Sequence, residues 1–448
     1  MAGIFGTDGV RAQINTGPMR AEAVVRLALA TGRYFSDESR ASGRTGSPVV
    51  VIGKDTRLSG YMIEASLVAG FTSIGIDCRL LGPVPTAAVS YLTHSMRADF
   101  GVMISASHNP HHDNGIKLFG ADGCKLDDTV EEAISALMQG SISLAEADSI
   151  GRARRIINSH SRYTEFAKAT FDETHSLGGM KIVIDCAHGA AYRTAPDTLT
   201  ELGANLYKMG TSPDGLNINL GCGATAPNDM RQVVLDAGAD IGIALDGDAD
   251  RLILCDEKGH ICDGDQIIAA LALEMAEQGQ LNTPVIGTLM SNLGMENLLA
   301  SHDIPFERTA VGDRYIMERM AQTGSNLGGE PSGHILLPHL SRTGDGLIAA
   351  LQILSVMARK KQTASQVLSC FTPVPQKLVN LPDMDKAILQ RADIIAEVEQ
   401  VNADLGDEGR VLLRPSGTEP LIRVMVEAVD EARLDAAMDR LVTKLKQG

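Results

Sequence analysis

The 448-residue sequence contains no run of 18 or more apolar residues, so it lacks a segment long enough to cross a bilayer as a helix. No basic segment followed by an apolar one stands near Met1, and we expect neither a membrane span nor a secretory signal. The seven cysteines form no Cys-x-x-Cys pair, which favours reduced thiols and a cytoplasmic protein. Only 40 Lys and Arg face 56 Asp and Glu, a net charge of −16. This charge disfavours nucleic acid and anionic membranes as partners, and allows an anionic small substrate only where basic side chains gather in a cleft.

Hydrophobic residues make up 44% of the chain and charged residues 21%, the composition of an ordinary globular protein. A chain this long exceeds one hydrophobic core, and length alone suggests about three domains. Strand and helix patterns alternate along the first 370 residues, which indicates α/β units with parallel or mixed sheets. We therefore predict three similar α/β domains at residues 1–155, 156–257 and 258–370, and a smaller α+β domain at 371–448.

Apolar runs predict buried strands, and polar loops follow several of them directly. The predicted strands include residues 49–53, 98–105, 180–186, 239–245 and 285–289, with 239–245 as the last strand of the second domain. The predicted helices include 59–73, 265–278, 312–322, 345–360 and 384–404. Because open α/β sheets bind ligands at the carboxyl ends of their strands, these polar loops are the first candidates for a site.

The loop after strand 98–105 collects groups suited to covalent chemistry. Ser107 carries a hydroxyl next to His108, and we expect a second turn at Asn114-Gly115 to return Lys117 to the same place. A nucleophile, proton carriers and a cation would then lie within about ten residues. An equally open interpretation is a turn whose polar side chains bond to their own backbone.

Asp246, Asp248 and Asp250 follow the predicted strand 239–245 and can converge only if something neutralises them. In a glycine-containing loop their carboxylates can close around one hard divalent cation, and we expect Mg²⁺, which accepts few protein ligands and leaves room for a phosphate oxygen. An EF-hand also begins Asp-x-Asp-x-Asp, but Gly247 and Arg251 occupy the wrong positions for one, and a strand follows. The alternative is a solvated acidic turn.

Three further loops have two interpretations each. Phe5-Gly-Thr-Asp-Gly-Val-Arg11 reads as a surface turn unless the chain needs its arginine. Arg414-Pro-Ser-Gly-Thr offers a guanidinium, hydroxyls and backbone amides for a phosphate, or a hairpin turn. Gly329-Glu-Pro-Ser-Gly-His, in a segment too rich in glycine for regular structure, offers a carboxylate and a hydroxyl for vicinal sugar hydroxyls, or a helix-capping turn.

Together these loops are far more specific than any one alone. Ser-Ala-Ser-His-Asn-Pro, Asp-Gly-Asp-Ala-Asp-Arg, Gly-Glu-Pro-Ser-Gly-His and Arg-Pro-Ser-Gly-Thr-Glu-Pro occur in this order, one per predicted domain. In this set the chain resembles the α-D-phosphohexomutase superfamily over essentially its whole length. The resemblance implies that the four domains surround a central cleft and carry, in order, a phosphoserine loop, a metal loop, a sugar-binding loop and a phosphate-binding loop.

Within the superfamily the details are most similar to those of bacterial phosphoglucosamine mutases. The likeness rests on Phe5-Gly-Thr-Asp-Gly-Val-Arg11, His111-His-Asp-Asn-Gly-Ile-Lys117, Asn217-Ile-Asn-Leu-Gly-Cys-Gly-Ala-Thr225, Val311-Gly-Asp-Arg-Tyr315 and the loop from Arg414 to Arg423. Two departures are visible: Pro331 stands where the family pattern leads us to expect Gln, and Ala224 where it leads us to expect Ser. The first lies in the sugar-binding loop, and neither touches the chemistry.

Carried over motif by motif, the resemblance implies a role for each site residue. The implied catalytic residues are Ser107, which bears the phosphoryl group, with His108, Lys117, Arg11 and Arg251; the general base is open between His108, Lys117 and His334. The implied metal ligands are Ser107, Asp246, Asp248 and Asp250. The implied substrate-binding residues are Glu330, Ser332, His334, Arg414, Ser416, Gly417, Thr418 and Arg423.

The implied activity is the interconversion of glucosamine 6-phosphate and glucosamine 1-phosphate, a supply of UDP-N-acetylglucosamine and cell-wall precursors. The implied cofactors are one Mg²⁺ per site, a phosphorylated Ser107, and glucose or glucosamine 1,6-bisphosphate as activator. A sugar phosphate is the expected partner, and a homodimer is compatible with the sequence. Phosphomannomutase/phosphoglucomutase activity is the nearest alternative, and a sugar-phosphate sensor that has lost turnover is the alternative from another class.

Overall fold

The computed structural model describes residues 4–6, 8–41, 43, 46–415 and 421–447. Four sheets divide these residues into four units, which we number in chain order. The first three units are α/β and the fourth is a smaller α+β unit, so the predicted fold class is confirmed. The exact domain boundaries stay a prediction.

The first unit contains six strands and four helices. The strands are β1 (Val10–Gln13), β2 (Val49–Lys54), β3 (Asp77–Pro83), β4 (Phe100–Ile104), β5 (Asp113–Gly120) and β6 (Ala153–Arg155). The helices are α1 (Ala21–Ala41), α2 (Gly60–Ser73), α3 (Thr86–Ser95) and α4 (Asp128–Leu137). The sheet order is β1-β5-β4-β2-β3-β6, and only β1–β5 and β5–β4 pair antiparallel. Since β4 is buried at every residue, its sequence is wholly apolar, as expected for a central strand.

One prediction in this unit is wrong. Asn114 and Gly115 lie inside β5 rather than in a turn, and Lys117 pairs with Met103 of β4. Gly115 serves close packing of backbones, because a Cβ there would lie 2.5 Å from the carbonyl oxygen of Ser105. Lys117 therefore reaches the loop after β4 through strand pairing.

The second unit contains β7 (Lys181–Asp185), β8 (Asn205–Met209), β9 (Ile241–Leu245), β10 (Leu252–Asp256) and β11 (Ile261–Cys262). Its helices are α5 (Ser159–Lys168), α6 (Thr194–Glu201) and α7 (Asn228–Ala237). The sheet order is β11-β10-β9-β7-β8. The prediction that residues 239–245 form the last strand is wrong, because β10 returns antiparallel to β9 and β11 then pairs with β10. The aspartate loop is thus the tip of a β-hairpin.

The third unit contains β12 (Val285–Thr288), β13 (Phe306–Thr309), β14 (Gly328–Gly329) and β15 (Ile335–Leu336). Its helices are α8 (Gly264–Glu277), α9 (Leu293–Ser301), α10 (Asp313–Thr323), α11 (Gly346–Lys360) and α12 (Ala364–Leu368). The sheet order is β13-β12-β14-β15. The glycine-rich segment expected to be irregular is a short hairpin, since β14 pairs antiparallel with β15.

The fourth unit contains β16 (Gln376–Pro382), β17 (Gly409–Pro415) and β18 (Leu421–Ala428), all antiparallel, with α13 (Ala392–Leu405) and α14 (Glu431–Lys446). The helix predicted at 384–404 is broken: a 3₁₀ turn at Lys386–Gln390 ends at Arg391, whose backbone is extended, before α13 begins. The apolar side chains of the fourth unit form a core of their own. In the other units, one continuous core joins α3 to the second and third units. No helix in the described ranges is long and apolar enough to span a membrane.

Candidate active site

Ser107 lies in the loop between β4 and β5. Its φ of +51° is in the left-handed region, which is uncommon for a residue other than glycine. The side chain is buried, and its Oγ donates a hydrogen bond of 2.6 Å to Oδ2 of Asp246. The loop after β4 in the first unit and the aspartate loop of the second unit are therefore in direct contact.

Three buried carboxylates at the tip of the β9–β10 hairpin face one another. Asp246, Asp248 and Asp250 each offer an oxygen, and these oxygens lie within 4.8 Å of one another. Oδ1 of Asp248 and Oδ1 of Asp250 are buried and have no hydrogen-bond partner among the described residues. Buried, unpaired carboxylate oxygens are costly unless a cation neutralises them, so this donor set fits a hard divalent cation.

Burial and the two neighbouring carboxylates, Asp250 and Asp248, raise the pKa of Asp246 to about 8. Three charged carboxylates at this spacing repel one another, and a bound cation would offset that repulsion. The loop also needs glycine, because a Cβ at Gly247 would lie 2.5 Å from the carbonyl oxygen of Ser107. The glycine between Asp246 and Asp248 therefore allows the aspartate loop to pack against Ser107.

Lys117 holds its ammonium directly against these carboxylates. Its Nζ lies 2.9 Å from Asp248 Oδ2, 3.0 Å from Asp250 Oδ2 and 3.1 Å from Asp8 Oδ2. Burial alone would lower the pKa of this ammonium, but the three carboxylates raise it well above its usual value. Asp8 was not predicted as a site residue, although it belongs to the loop from which Arg11 was selected.

A chain of charged groups runs from Asp8 into the third unit. Lys125 binds Asp8 and also Asp313 at the start of α10. His334 lies beyond, with Nε2 3.5 Å from Asp313 Oδ2 and Nδ1 3.8 Å from Asp250 Oδ1. Lys125 and Asp313 were also missed; the Val-Gly-Asp-Arg-Tyr motif contains Asp313, but nothing in that motif states its partner.

His108 lies beside Ser107, and the charges of the two predicted arginines act on His108. Nδ1 of His108 is 3.4 Å from Ser107 Oγ. Burial, followed by the positive charges of Arg251 and Arg11, lowers the pKa of His108 to about 4. The backbone N–H of Arg251 donates to Asp246 Oδ1 at 3.2 Å, and the Arg11 side chain binds Asp8. Arg251 and Arg11 therefore place positive charge near His108, the neighbour of the predicted nucleophile.

The β14–β15 hairpin brings the predicted sugar-binding side chains together. Oε1 of Glu330 accepts a 3.0 Å hydrogen bond from the Gly312 N–H, and its Oε2 accepts one of 3.3 Å from the Ser332 hydroxyl. Pro331, a departure from the family pattern, uses its carbonyl to accept from Gly264 N at 3.1 Å. Glu330 is thus fixed with one hydroxyl beside it.

Arg414 and Arg423 are cross-strand partners on β17 and β18. Burial and the charge of Arg423 lower the pKa of Arg414, while the charge of Glu330 in the sugar-binding loop acts in the opposite direction. Both Nε atoms are buried without a hydrogen-bond partner among the described residues. The other predicted residues of the phosphate-binding loop, Ser416, Gly417 and Thr418, lie outside the described residues.

Four domain profiles of the phosphoglucomutase/phosphomannomutase family match the chain in order. The three alpha/beta/alpha domains match at residues 2–143, 161–259 and 263–374, and the C-terminal domain at 378–444. Fold and site together define a phosphohexose mutase, an isomerase that transfers a phosphoryl group within a sugar phosphate.

Curated phosphoglucosamine mutases are similar to the chain over nearly its whole length. The protein from Paracoccus denitrificans (strain Pd 1222) is 54% identical over 446 residues, which is 99% of each chain. That from Jannaschia sp. (strain CCS1) is 54% identical over 441 residues, 98% of each chain. The chain belongs to the phosphoglucosamine mutases of the phosphoglucomutase/phosphomannomutase family.

Solved structures share the fold. A phosphoglucomutase/phosphomannomutase family protein from Burkholderia thailandensis has a TM-score of 0.79 at 23% identity, covering 99% of this chain and 97% of the other. The N-acetylphosphoglucosamine mutase of Aspergillus fumigatus, solved with GlcNAc-6P and magnesium, has a TM-score of 0.66 at 17% identity, covering 98% and 94%. At these identities the likeness concerns the fold alone.

Proposed function

We propose that the protein interconverts glucosamine 6-phosphate and glucosamine 1-phosphate by way of a phosphorylated Ser107. The observation that carries this proposal is the 2.6 Å hydrogen bond from Ser107 Oγ to Asp246, which puts the hydroxyl at the edge of the carboxylate cluster. The choice of glucosamine follows the two curated phosphoglucosamine mutases named above, each 54% identical to this chain.

Each half-reaction moves one phosphoryl group. First, O1 of glucosamine 6-phosphate attacks the phosphorus of phospho-Ser107; the O1–P bond forms, the P–Oγ bond breaks, and the hydroxyl proton ends on Ser107 Oγ. Glucosamine 1,6-bisphosphate then turns around in the cleft. Ser107 Oγ attacks the 6-phosphate, the P–O6 bond breaks, O6 takes the proton, and glucosamine 1-phosphate leaves. A glucose or glucosamine 1,6-bisphosphate supplies the first phosphoryl group to Ser107.

Phosphoryl transfer needs positioning and neutralisation of negative charge more than covalent help. Mg²⁺, which suits an all-oxygen donor set, would be held by Asp246, Asp248, Asp250 and a phosphate oxygen on Ser107, and would supply positive charge there. Lys117 keeps its ammonium beside the cluster by three contacts to carboxylates. Arg11 and Arg251 add charge on the side of His108.

Proton movement is assigned by distance. His108 Nδ1, 3.4 Å from Ser107 Oγ, is our candidate for carrying the proton between the sugar hydroxyl and Ser107. Lys117 is fully engaged with carboxylates, and His334 faces Asp250 and Asp313, so these two act as positively charged groups that organise the cleft.

Both orientations of the bisphosphate must present their distal phosphate to one place. Arg414 and Arg423 supply the positive charge of this phosphate-binding site, with Ser416, Gly417 and Thr418 as its further proposed members. The sugar hydroxyls shared by both orientations would meet Glu330 and Ser332, which the hairpin fixes side by side.

The decisive experiment compares kcat/KM for glucosamine, glucose and mannose 6-phosphates with Mg²⁺ and glucose 1,6-bisphosphate present. We expect glucosamine 6-phosphate to be preferred and Ser107→Ala to abolish turnover. A preference for mannose or glucose would overturn the substrate and leave the phosphoryl chemistry standing. Undiminished turnover by Ser107→Ala would overturn the chemistry, and no turnover on any hexose phosphate would favour a sensor.

A further inference from the structure

Arg57 is a buried arginine that touches the Ser107 loop rather than the substrate cleft. It follows β2, and its side chain is almost completely buried. Nη2 donates to the carbonyl oxygens of Ser107 at 2.9 Å and Asn109 at 2.8 Å. Nη1 donates to the carbonyls of Pro110 and, at 3.2 Å, Asp113. One guanidinium therefore holds three carbonyls of the loop between β4 and β5 and the carbonyl of Asp113, the first residue of β5.

Asn219 reaches the same loop from the second unit. Its Nδ2 donates to the carbonyl oxygens of Ser107 at 2.9 Å and Asn109 at 3.1 Å, the two carbonyls that Arg57 Nη2 also binds. Asn219 itself has a φ of +57°, a conformation that Asn tolerates better than most residues. The carbonyls before and after His108 are thus bound from both units at once.

The opposite side of Ser107 is connected to Arg57 through side chains. Arg57 Nε donates to Asp55 Oδ2 at 2.8 Å, and the same oxygen accepts a 2.6 Å hydrogen bond from Ser105 Oγ. Ser105 Oγ in turn accepts the Ser107 N–H at 2.9 Å. Both the N–H and the carbonyl of Ser107 are therefore fixed by groups connected to the Arg57–Asp55 pair.

We propose that Arg57 and Asn219 form a carbonyl clamp, defined as these two side chains and the carbonyls of Ser107 and Asn109, which positions Ser107 for phosphoryl transfer. Left-handed backbone is unfavourable for serine, so it persists only where the surroundings impose it. The clamp imposes it from two units and thereby directs Oγ toward Asp246. Arg57 and Asn219 are positioning residues: they act through the backbone of Ser107 and touch no reacting atom.

If Arg57 had a purely structural role, its substitution would have a different outcome. The amount of folded protein would fall, and the protein that still folds would turn over normally. Substitution of a positioning residue instead lowers kcat with little change in KM, because small misplacements of a reacting group slow the chemical step while substrate binding elsewhere is preserved. The inference rests on the proposed function, since it assumes phosphoryl transfer at Ser107.

The test uses the full chain with Mg²⁺ and glucose 1,6-bisphosphate. Asn219→Gly removes the amide and keeps a residue that accepts the left-handed φ, and Asn219→Asp replaces the donor with an acceptor facing two carbonyls. Arg57→Lys keeps the charge and loses the planar fork that reaches four carbonyls. Glu64→Gln is the matched control, because Glu64 forms a buried ion pair with Lys54 at the end of β2, 2.8 Å long, without touching the Ser107 loop.

We expect Asn219→Gly to lower kcat by about tenfold and Arg57→Lys by about a hundredfold, with KM for glucosamine 6-phosphate within about twofold of wild type. The rate at which glucose 1,6-bisphosphate phosphorylates Ser107, followed by intact mass, should fall in parallel. The double variant should lose less than the product of the two single losses, because both side chains hold the same carbonyls. Glu64→Gln should keep wild-type rates.

Two results would overturn the clamp: wild-type kcat in Asn219→Gly, or an Arg57→Lys loss that disappears when rates are normalised to folded protein measured by near-UV circular dichroism. The wild-type enzyme assayed in the same series separates this inference from the proposed function. Absence of wild-type turnover on every hexose phosphate would refute the proposed function. Normal wild-type turnover together with unaffected Arg57 and Asn219 variants would refute only the carbonyl clamp.

Discussion

Thr86 makes two hydrogen bonds to Asp248 across the boundary between the first and second units. Its hydroxyl donates to Asp248 Oδ2 at 2.6 Å, and its backbone N–H donates to the Asp248 carbonyl at 3.0 Å. Oδ2 also accepts a hydrogen bond from Lys117 Nζ, which leaves Oδ1 buried and without a hydrogen-bond partner among the described residues. The amino-terminal residue of α3 therefore sets the orientation of one proposed metal ligand.

Removing the Thr86 hydroxyl should weaken metal binding. Thr86→Val keeps the shape of the side chain and deletes the bond to Oδ2, which leaves the Asp248 carboxylate freer to rotate. Outer partners of this kind typically contribute 10- to 100-fold in affinity. We expect Mn²⁺ titration followed by electron paramagnetic resonance to show a loss of about tenfold. Thr86→Ser retains the hydroxyl and should bind nearly as the wild type does; equal weakening in both variants would contradict the argument.

Lys125 should contribute to stability by joining the first and third units. Its ammonium binds Asp8 and Asp313, whose side chains are 21% and 12% exposed. Lys125→Met leaves two largely buried carboxylates with one partner fewer, and we expect a cost of about 2 kcal/mol in unfolding free energy, seen as a lower Tm. Adding Asp313→Asn should recover part of this loss, because it removes one of the two carboxylates that had lost a partner.

Lys168 provides the control for that substitution. Its side chain is 22% exposed, close to the 24% of Lys125, but its partners Glu165 and Glu201 are 70% and 49% exposed. Pairs with well-hydrated partners contribute little, so Lys168→Met should cost less than about 1 kcal/mol. Equal Tm losses for Lys125→Met and Lys168→Met would show that Lys125 is an ordinary surface charge.

The sequence predicted those parts of the fold that have a strong periodic pattern. Central strands such as β4 and β9 are apolar at every residue and were expected within a residue or two. β13 was missed because it is an edge strand of half-buried residues, Phe-Glu-Arg-Thr, with no apolar run. The break at Arg391 was also missed, since no proline or glycine marks it.

The site was predicted as separate loops, and the resemblance suggested that they meet. Contacts between polar side chains far apart in sequence leave no periodic signal, so the bonds from Asn219 to the Ser107 loop and from Lys125 to Asp313 could not be inferred from spacing. Lys117 was expected in the right place for the wrong reason, because strand pairing and not a turn brings it there. The sequence contained the residues, and only the fold shows their partners.

Arg423 should contribute to the binding of the distal phosphate. Arg423→Gln removes one charge from a pair of adjacent arginines, and we expect KM for glucosamine 6-phosphate to rise by about tenfold or more, since charge-assisted bonds to phosphate are among the stronger polar contacts. Steady-state kinetics at several ionic strengths measure this effect. Arg440→Gln, which removes an exposed contact between α14 and Asp404 of α13, is the control and should leave KM unchanged. A normal KM in Arg423→Gln would show that Arg423 does not bind the distal phosphate.

Asp345 should make the protein more stable at mildly acidic pH. This residue caps the start of α11 by accepting from Ile348 N, and Tyr163 Oη donates to its Oδ2 at 2.8 Å. Burial raises its pKa from 3.8 to about 6, more than these hydrogen bonds lower it. Between these two values the folded state holds a proton that the unfolded state has released, so stability falls as pH rises through about 6.

Asp345→Asn tests this linkage, because the amide oxygen can still accept from both Ile348 and Tyr163 while the titration disappears. Between pH 4.5 and 7.5 the wild type should lose about 2 kcal/mol relative to the variant, which corresponds to the part of the pKa shift spanned by that range. Tm measured across the range for both proteins gives the difference directly, and other buried acids cancel in it. If the two Tm curves run parallel, Asp345 is charged in the folded protein throughout, and Tyr163 must then stabilise a buried carboxylate rather than a carboxylic acid.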